Sequence, residues 1–285
     1  MCRFALYLGA ELTVSRLVTE PSNSIIHQSF HNLERSEPMN GDGFGLAWYV
    51  PDLTPEPGLF RSISPAWNNQ NLLRLARVTR SRCILVHVRA ASPGLPVTQL
   101  SCHPFTWGRY AFMHNGELAG FRRLRRQILE RLSAEAFEHL AGSSDTEHVF
   151  ALFCDHLRRL GEPDGAGTMA QALVATLAET EEMRRAAGIE EPSFLNLAVT
   201  DGQRAVVSHY ASDGAEAPSL HYNVGRSYAC EDGVCRMVDP GSRRHRAVIV
   251  ASEPLSEDPG WHRVPPSHLV VVHDDLTEEL RPIEI

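Results

Sequence analysis

Met1-Cys2-Arg3-Phe4-Ala5-Leu6-Tyr7-Leu8-Gly9 opens the chain as an apolar run interrupted by Arg3 and closed by a glycine. The pattern predicts a short strand from Cys2 to Leu8 that turns at Gly9, with Cys2 as its first residue. Once the leading methionine is trimmed, Cys2 carries a thiol and a free α-amine side by side. The amine titrates at about 7.7–8.0 and the thiol at about 8.5, so the amine can take the thiol proton near neutral pH. That is the logic of an amino-terminal nucleophile. If Met1 is retained the amine is blocked and this chemistry is lost. A chance cysteine in a first strand is the plain alternative, and it would be preferred if Cys2 stood alone.

Cys2 has companions. Arg109 to Met113 reads as a strand, and His114-Asn115-Gly116-Glu117 as the turn at its end. That turn offers the Asn115 carboxamide and the Gly116 N–H to a developing oxyanion, and glycine lets the backbone approach closely. An Asn-Gly pair by itself is more often only a turn. Arg89 ends an apolar strand, where a charge is costly unless matched, so it fits either a structural ion pair or the carboxylate of an amino-acid substrate. Asp145 fits the substrate ammonium, or simply the N-cap and first turn of a helix in Ser143 to Glu147.

Working outward, the glycine-rich stretch 41–45 predicts a tight turn feeding a buried strand at Phe44 to Val50, and Pro51 to Pro65 reads as a surface loop. Asn69 to Arg80 has helical spacing and Cys83 to Arg89 is rich in strand formers. Helices are expected over Phe121–Leu132, Asp145–Leu160 and Thr168–Ala187, with a Gly/Pro-rich linker at 161–167. Strands follow at Phe194–Thr200, Ala205–Tyr210, Ala247–Ala251 and His268–Val272. Strands at both ends with helices between them favour a mixed α/β sandwich over a parallel doubly wound sheet. Residues 2–285 are expected to form a single domain.

Composition narrows the function. With 43% apolar and 22% charged residues the chain can bury a sizeable core. A formal charge of −8 gives no general attraction to nucleic acid or anionic lipid, so small molecules or proteins are the better partners. All 27 basic residues are arginine. The absence of lysine excludes a Walker-type phosphate loop and any lysine Schiff base. Runs such as Cys83 to Val88 are too short to span a membrane, and the start lacks the pattern of a secretory signal, so a cytoplasmic location is expected. In that setting the six cysteines should stay reduced, and Cys230, Cys235 and His221 match no common zinc spacing.

Taken together, several stretches resemble class II glutamine amidotransferases of the amino-terminal nucleophile hydrolase superfamily. They are Met-Cys-Arg-Phe at 1–4, Gly-Asp-Gly-Phe-Gly at 41–45, His-Val-Arg-Ala-Ala-Ser at 87–92, Cys-His-Pro-Phe at 102–105, Phe-Met-His-Asn-Gly at 112–116 and Ser-Asp-Thr-Glu at 144–147. Ala-Ser-Glu-Pro-Leu at 251–255 and Asp258-Pro259-Gly260-Trp261 resemble the carboxyl-terminal part of the stand-alone members. The resemblance implies an αββα four-layer sandwich with two antiparallel sheets. It further implies Cys2 as nucleophile and, through its amine, base, with Asn115 and Gly116 forming the oxyanion hole. Arg89 would hold the substrate α-carboxylate and Asp145 its α-ammonium, with Ser92 assisting; His87, His103 and His114 would be framework residues.

The implied reaction is hydrolysis of the side-chain amide of glutamine or a γ-glutamyl compound through a thioester on Cys2, with no metal or organic cofactor. No room is left for an acceptor domain, so ammonia or amine would pass to water or to a separate synthase or amidotransferase partner. Two rival readings are a non-catalytic glutamine-binding or scaffold module and a papain-like protease using Cys102 or Cys83. The second is disfavoured because His114 and Asn115, as neighbours on a strand, point to opposite faces.

Overall fold

Along the first strand Phe4, Leu6 and Leu8 alternate with Ala5 and Tyr7, and both sets are buried, in two different apolar layers. Period-two alternation with both faces covered is the signature of a strand inside a stack of layers. The computed structural model describes residues 2–31, 39–91, 97–161, 165–231, 234–238 and 246–285. The chain runs β1 (Arg3–Thr13), α1 (Ser15–Val18), α2 (Ile25–Gln28), β2 (Phe44–Trp48), β3 (Gly58–Ser62), α3 (Gln70–Val78) and β4 (Arg80–Val88). It continues as β5 (Phe105–Trp107), β6 (Tyr110–Glu117), α4 (Phe121–Arg131), α5 (Ala134–His139), α6 (Asp145–Arg159) and α7 (Ala166–Ala186). Strands complete it: β7 (Phe194–Thr200), β8 (Ala205–His209), β9 (His221–Gly225), β10 (Ser227–Glu231), β11 (Val234–Val238), β12 (Ala247–Ala251), β13 (Trp261–Arg263), β14 (His268–Val272) and β15 (Glu278–Pro282).

Two large sheets result. The first has the order β13-β9-β12-β1-β4-β2-β3, with β1 at its centre between β12 and β4, and the second the order β15-β14-β8-β7-β6-β5. Their neighbours are antiparallel. Between the sheets lies a core of Phe4, Leu6, Leu85, Met113, Ala198, Val207, Val250 and Val270. A second core lies under α1 to α3, with Leu17, Ile25, Leu72 and Ala76 on Ala5, Val86 and Ile249. A third joins α4, α6 and α7 to the other sheet through Leu124, Phe150, Phe153, Leu173 and Leu177 on Phe112, Leu195 and Val206. Three cores separate four layers, in the order helix, sheet, sheet, helix. Each fully buried side chain of this kind contributes about 1.5–3 kcal/mol of transfer free energy.

Caps fix where helices begin. The Asn69 side chain accepts from Leu72 N at 2.8 Å and starts α3. At α6 the Ser144 hydroxyl accepts from Glu147 N at 3.2 Å, while the Glu147 carboxylate reaches back to the amides of Ala141 and Gly142.

Four expectations are corrected. The first strand does not turn at Gly9 but runs on to Thr13, its pairing with β4 resuming after a shift in register between Leu8 and Leu12. The stretch 51–65 is not all loop, because Gly58–Ser62 pairs with β2 as an edge strand whose five residues are all half-buried, which erases the alternation a sequence reading needs. His114 to Glu117 is not a turn but the end of β6, still in register with β7. Cys230 and Cys235 are joined in a disulfide, since the β10–β11 hairpin sets them directly opposite each other. Among the described residues no helix is long and apolar enough to cross a membrane, and no group of three or more His, Cys, Asp or Glu is arranged to hold a metal.

Candidate active site

Strand parity decides which side chains can meet. On β1 the even-numbered Phe4, Leu6 and Leu8 face the second sheet, and on β6 the odd-numbered Ala111 and Met113 face back. Continuing each series places Cys2 and Asn115 in the same inter-sheet space. On β4, Cys83 and Leu85 share that face, and the series runs on through His87 to Arg89. On β12, Val248 and Val250 do so and the series runs on to Ser252. Four strands therefore deliver Cys2, Arg89, Asn115 and Ser252 to one end of the central layer.

The contacts agree with the parity. Cys2 Sγ donates to the Ala90 carbonyl, 3.6 Å away. Burial pushes the Cys2 thiol up; the Ala90 hydrogen bond and the Arg89 charge work against that, and the Asp145 charge adds to it. Both predicted substrate-binding charges are thus within electrostatic reach of the sulfur. Asn115 Nδ2 donates to Ser252 Oγ at 3.3 Å, and the same oxygen accepts from Phe4 N at 3.0 Å. Ser252 N in turn donates to the Phe4 carbonyl at 3.0 Å. Gly116 has φ of +148°, and a β-carbon there would stand 1.9 Å from the Phe194 carbonyl oxygen, so only glycine fits the pairing of β6 with β7.

Arg89 is held by its backbone. Its N–H donates to Gly43 O at 2.8 Å, its carbonyl accepts from Asp42 N at 3.1 Å, and Asp42 Oδ2 accepts from Ala91 N at 2.8 Å. The Gly41–Gly45 turn is therefore a clamp on residues 89–91, and Gly43, at φ of +114°, lies where a β-carbon would strike Cys102 Sγ at 2.7 Å. Asp145, the first residue of α6, accepts from Leu118 N at 3.0 Å and Thr146 N at 2.8 Å. Its carboxylate ties the loop after β6 to the helix as well as facing the site. Ser92 lies outside the described residues.

Histidines wedge the sheets together beside the site. His87 Nε2 lies 3.1 Å from the His114 carbonyl, so it must carry the proton and donate. His103 Nδ1 accepts from His114 N at 3.3 Å, so it must lack one. Burial pushes His87 down to about 3 and His103 well below its ordinary value, and their neutral rings meet at a tilt with centroids 4.1 Å apart. His114 donates from Nε2 to the Phe194 carbonyl at 2.9 Å, and its Nδ1 lies 3.0 Å from Thr146 Oγ1.

The thiols of the protease-like reading stand differently. Cys83 is buried against Thr200 Oγ1, and burial pushes it up to about 12. Cys102 donates to the carbonyls of Ser62 and Thr98. Neither hydrogen-bonds a histidine among the described residues.

Three positions that sequence reasoning left without a role complete the geometry. Arg3 donates from Nε to Glu253 Oε1 at 3.0 Å and from Nη1 to the Cys2 carbonyl at 2.9 Å, with both charged side chains almost fully buried on the helix-facing side of the sheet. Ser252 is the third. Ala-Ser-Glu-Pro-Leu was singled out at 251–255, and continuing the alternation of Val248 and Val250 to Ser252 was the signal that could have found it.

Comparison with known proteins yields a consistent set of likenesses. A model of the family described as "Glutamine amidotransferases class-II" matches residues 16–282. The probable glutamine amidotransferase DUG3 of Saccharomyces cerevisiae is 40% identical over 292 residues, covering 95% of this chain and 82% of that protein. Gamma-glutamyl-hercynylcysteine sulfoxide hydrolase of Mycolicibacterium smegmatis is 27% identical, with 96% of each chain covered. Among solved structures, a glutamine aminotransferase class-II domain protein from Silicibacter pomeroyi superposes with a TM-score of 0.67 at 26% identity, covering 100% of both chains.

Proposed function

This chain belongs to the class II glutamine amidotransferases, and from that membership we propose that it hydrolyses the side-chain amide of glutamine or a γ-glutamyl compound through a thioester on Cys2. Its fold is the αββα sandwich of amino-terminal nucleophile hydrolases. The observation that carries the reading is the delivery of Cys2, Arg89 and Asn115 by three separate strands to one end of the inter-sheet layer, with Asp145 close enough to act on the same sulfur.

In this mechanism the α-amine of Cys2, freed by loss of Met1, takes the thiol proton as sulfur attacks the γ-carbonyl carbon. Burial disfavours a standing thiolate, so proton removal is coupled to attack. The oxyanion that forms is met by the Asn115 carboxamide and the Gly116 N–H. The carbon–nitrogen bond breaks as the amine proton passes to the leaving nitrogen, and ammonia or an amine departs. Water then attacks the thioester, giving its proton back to the sulfur and releasing glutamate. Arg89 suits a paired contact to the α-carboxylate and Asp145 a single one to the α-ammonium, with Ser92 beside them. Residues 2–285 act as one catalytic domain, and the leaving amine goes to water or to a separate acceptor protein.

The test is glutamate release from L-glutamine and from several γ-glutamyl peptides, with the mass of the amino terminus measured alongside. Cys2→Ala should lower kcat by at least about 1,000-fold in a protein whose wild type has lost Met1. Undiminished turnover in Cys2→Ala would sink the mechanism, and absence of turnover on every substrate with a processed terminus would leave a glutamine-binding module instead.

A further inference from the structure

We propose that Ser252 is a positioning residue that aims the Asn115 carboxamide at the reacting carbonyl by fastening it to the strand that carries Cys2; the proposal rests on the reading of Cys2 as nucleophile and Asn115 as oxyanion donor.

Asn115 and Cys2 belong to different sheets, so nothing in the hydrogen-bond ladder of either sheet sets the distance between them. A donor that must meet an oxyanion at hydrogen-bond distance needs a direct tie. Ser252 supplies one. Its Oγ is completely buried and accepts from Phe4 N and Asn115 Nδ2 at 3.0 and 3.3 Å. Its own N–H closes a reciprocal bond onto the Phe4 carbonyl. One hydroxyl therefore joins the second residue after Cys2 to the proposed oxyanion donor across the sheet interface.

The tie also selects a rotamer. Asn115 Oδ1 is buried and has no hydrogen-bond partner among the described residues, so the bond from Nδ2 to Ser252 Oγ is what anchors the carboxamide. An asparagine Nδ2 carries two hydrogens. With one given to Ser252, the other remains for the oxyanion. Without the hydroxyl, the buried amide loses its one anchor and can turn to the opposite face. The role belongs to the transition state, because the carboxylate and ammonium of the substrate are held by Arg89 and Asp145, which make no hydrogen bond to Ser252.

The experiment compares wild type, Ser252→Ala, Ser252→Thr and Cys2→Ala in steady-state and single-turnover glutaminase assays, with thermal unfolding of each. Ser252→Ala should lower kcat and the acylation rate by roughly 10- to 100-fold while KM stays within about twofold, since a donor is misaimed rather than removed. Ser252→Thr, which keeps the hydroxyl, should restore most of the acylation rate. If Ser252→Ala retains kcat within about twofold of wild type while Cys2→Ala is inactive, the positioning role is overturned and the nucleophile stands. If Cys2→Ala remains active, the underlying mechanism falls instead. Equal losses in Ser252→Ala and in a Ser252→Thr protein that unfolds at the wild-type temperature also overturn the proposal, because the hydroxyl would then not be what matters.

Discussion

Gly116 shows how one missing carbon can hold a site. At φ of +148° and with the Phe194 carbonyl where a side chain would begin, alanine there has to push β6 and β7 apart or rotate the N–H proposed to meet the oxyanion. Gly116→Ala is expected to lower kcat by roughly 100-fold or more, the scale on which a lost oxyanion donor is felt, and to lower the unfolding temperature. Glutaminase activity within a few-fold of wild type in a folded Gly116→Ala protein would contradict this. At this scale Cys2, Asn115 and Arg89 stood out in the sequence as candidates because the chemistry they suggest is local: a thiol with its own amine, a carboxamide beside a glycine, a cation closing an apolar run. Ser252 and Glu253 were not. Their meaning depends on Phe4 and Arg3, their partners 248 and 250 residues away, and no local pattern encodes such a pairing.

Among elements, β1 and β12 are joined by more than their ladder. Arg3 and Glu253 form an ion pair that is 2% and 0% exposed at the side chains. Removing the carboxylate takes a hydrogen-bonded counter-charge away from a buried guanidinium, a penalty of up to about 3–5 kcal/mol. Glu253→Ala should lose stability on that scale in urea unfolding, and it should also loosen the Cys2 carbonyl that Arg3 holds. A loss below about 1 kcal/mol would show that the pair is solvated in solution. Helices α3 and α4 were readable because each buries one stripe of regularly spaced apolar residues, and α6 because a serine cap and first-turn carboxylates open it. The half-buried edge strand β3 and the β10–β11 hairpin carry weaker alternation, and β6 was cut short because His114-Asn115-Gly116 looks like a turn until β7 is seen to pair with it.

For the whole molecule, the neutral histidines between the sheets make stability depend on pH. His87 titrates at about 3 when folded and at about 6.5 when unfolded, so between those values the unfolded chain holds a proton that the folded chain refuses. Its contribution is complete above pH 6.5 and drains away as pH falls toward 3. His103 is displaced in the same direction. Each unmatched proton tilts stability by about 1.4 kcal/mol per pH unit. Unfolding free energies measured between pH 7 and 5 should therefore fall with acidification, and His87→Asn should flatten the slope; an unchanged slope would mean these rings take up protons while folded. The layered architecture was legible from the distribution of strands and helices along the chain. The sheet order was not, because strands adjacent in space are often far apart in sequence.

The central place of β1 has a consequence for how the protein is made. β1 is flanked by β4 and by β12, and β12 is synthesised long after it. Until residues 247–253 have been synthesised, β1 lacks one neighbour and Arg3 lacks its bond to Glu253, so Cys2 is not fixed in place before that stretch emerges. A nascent polypeptide that stops short of it would carry the proposed nucleophile without the strand that fixes it.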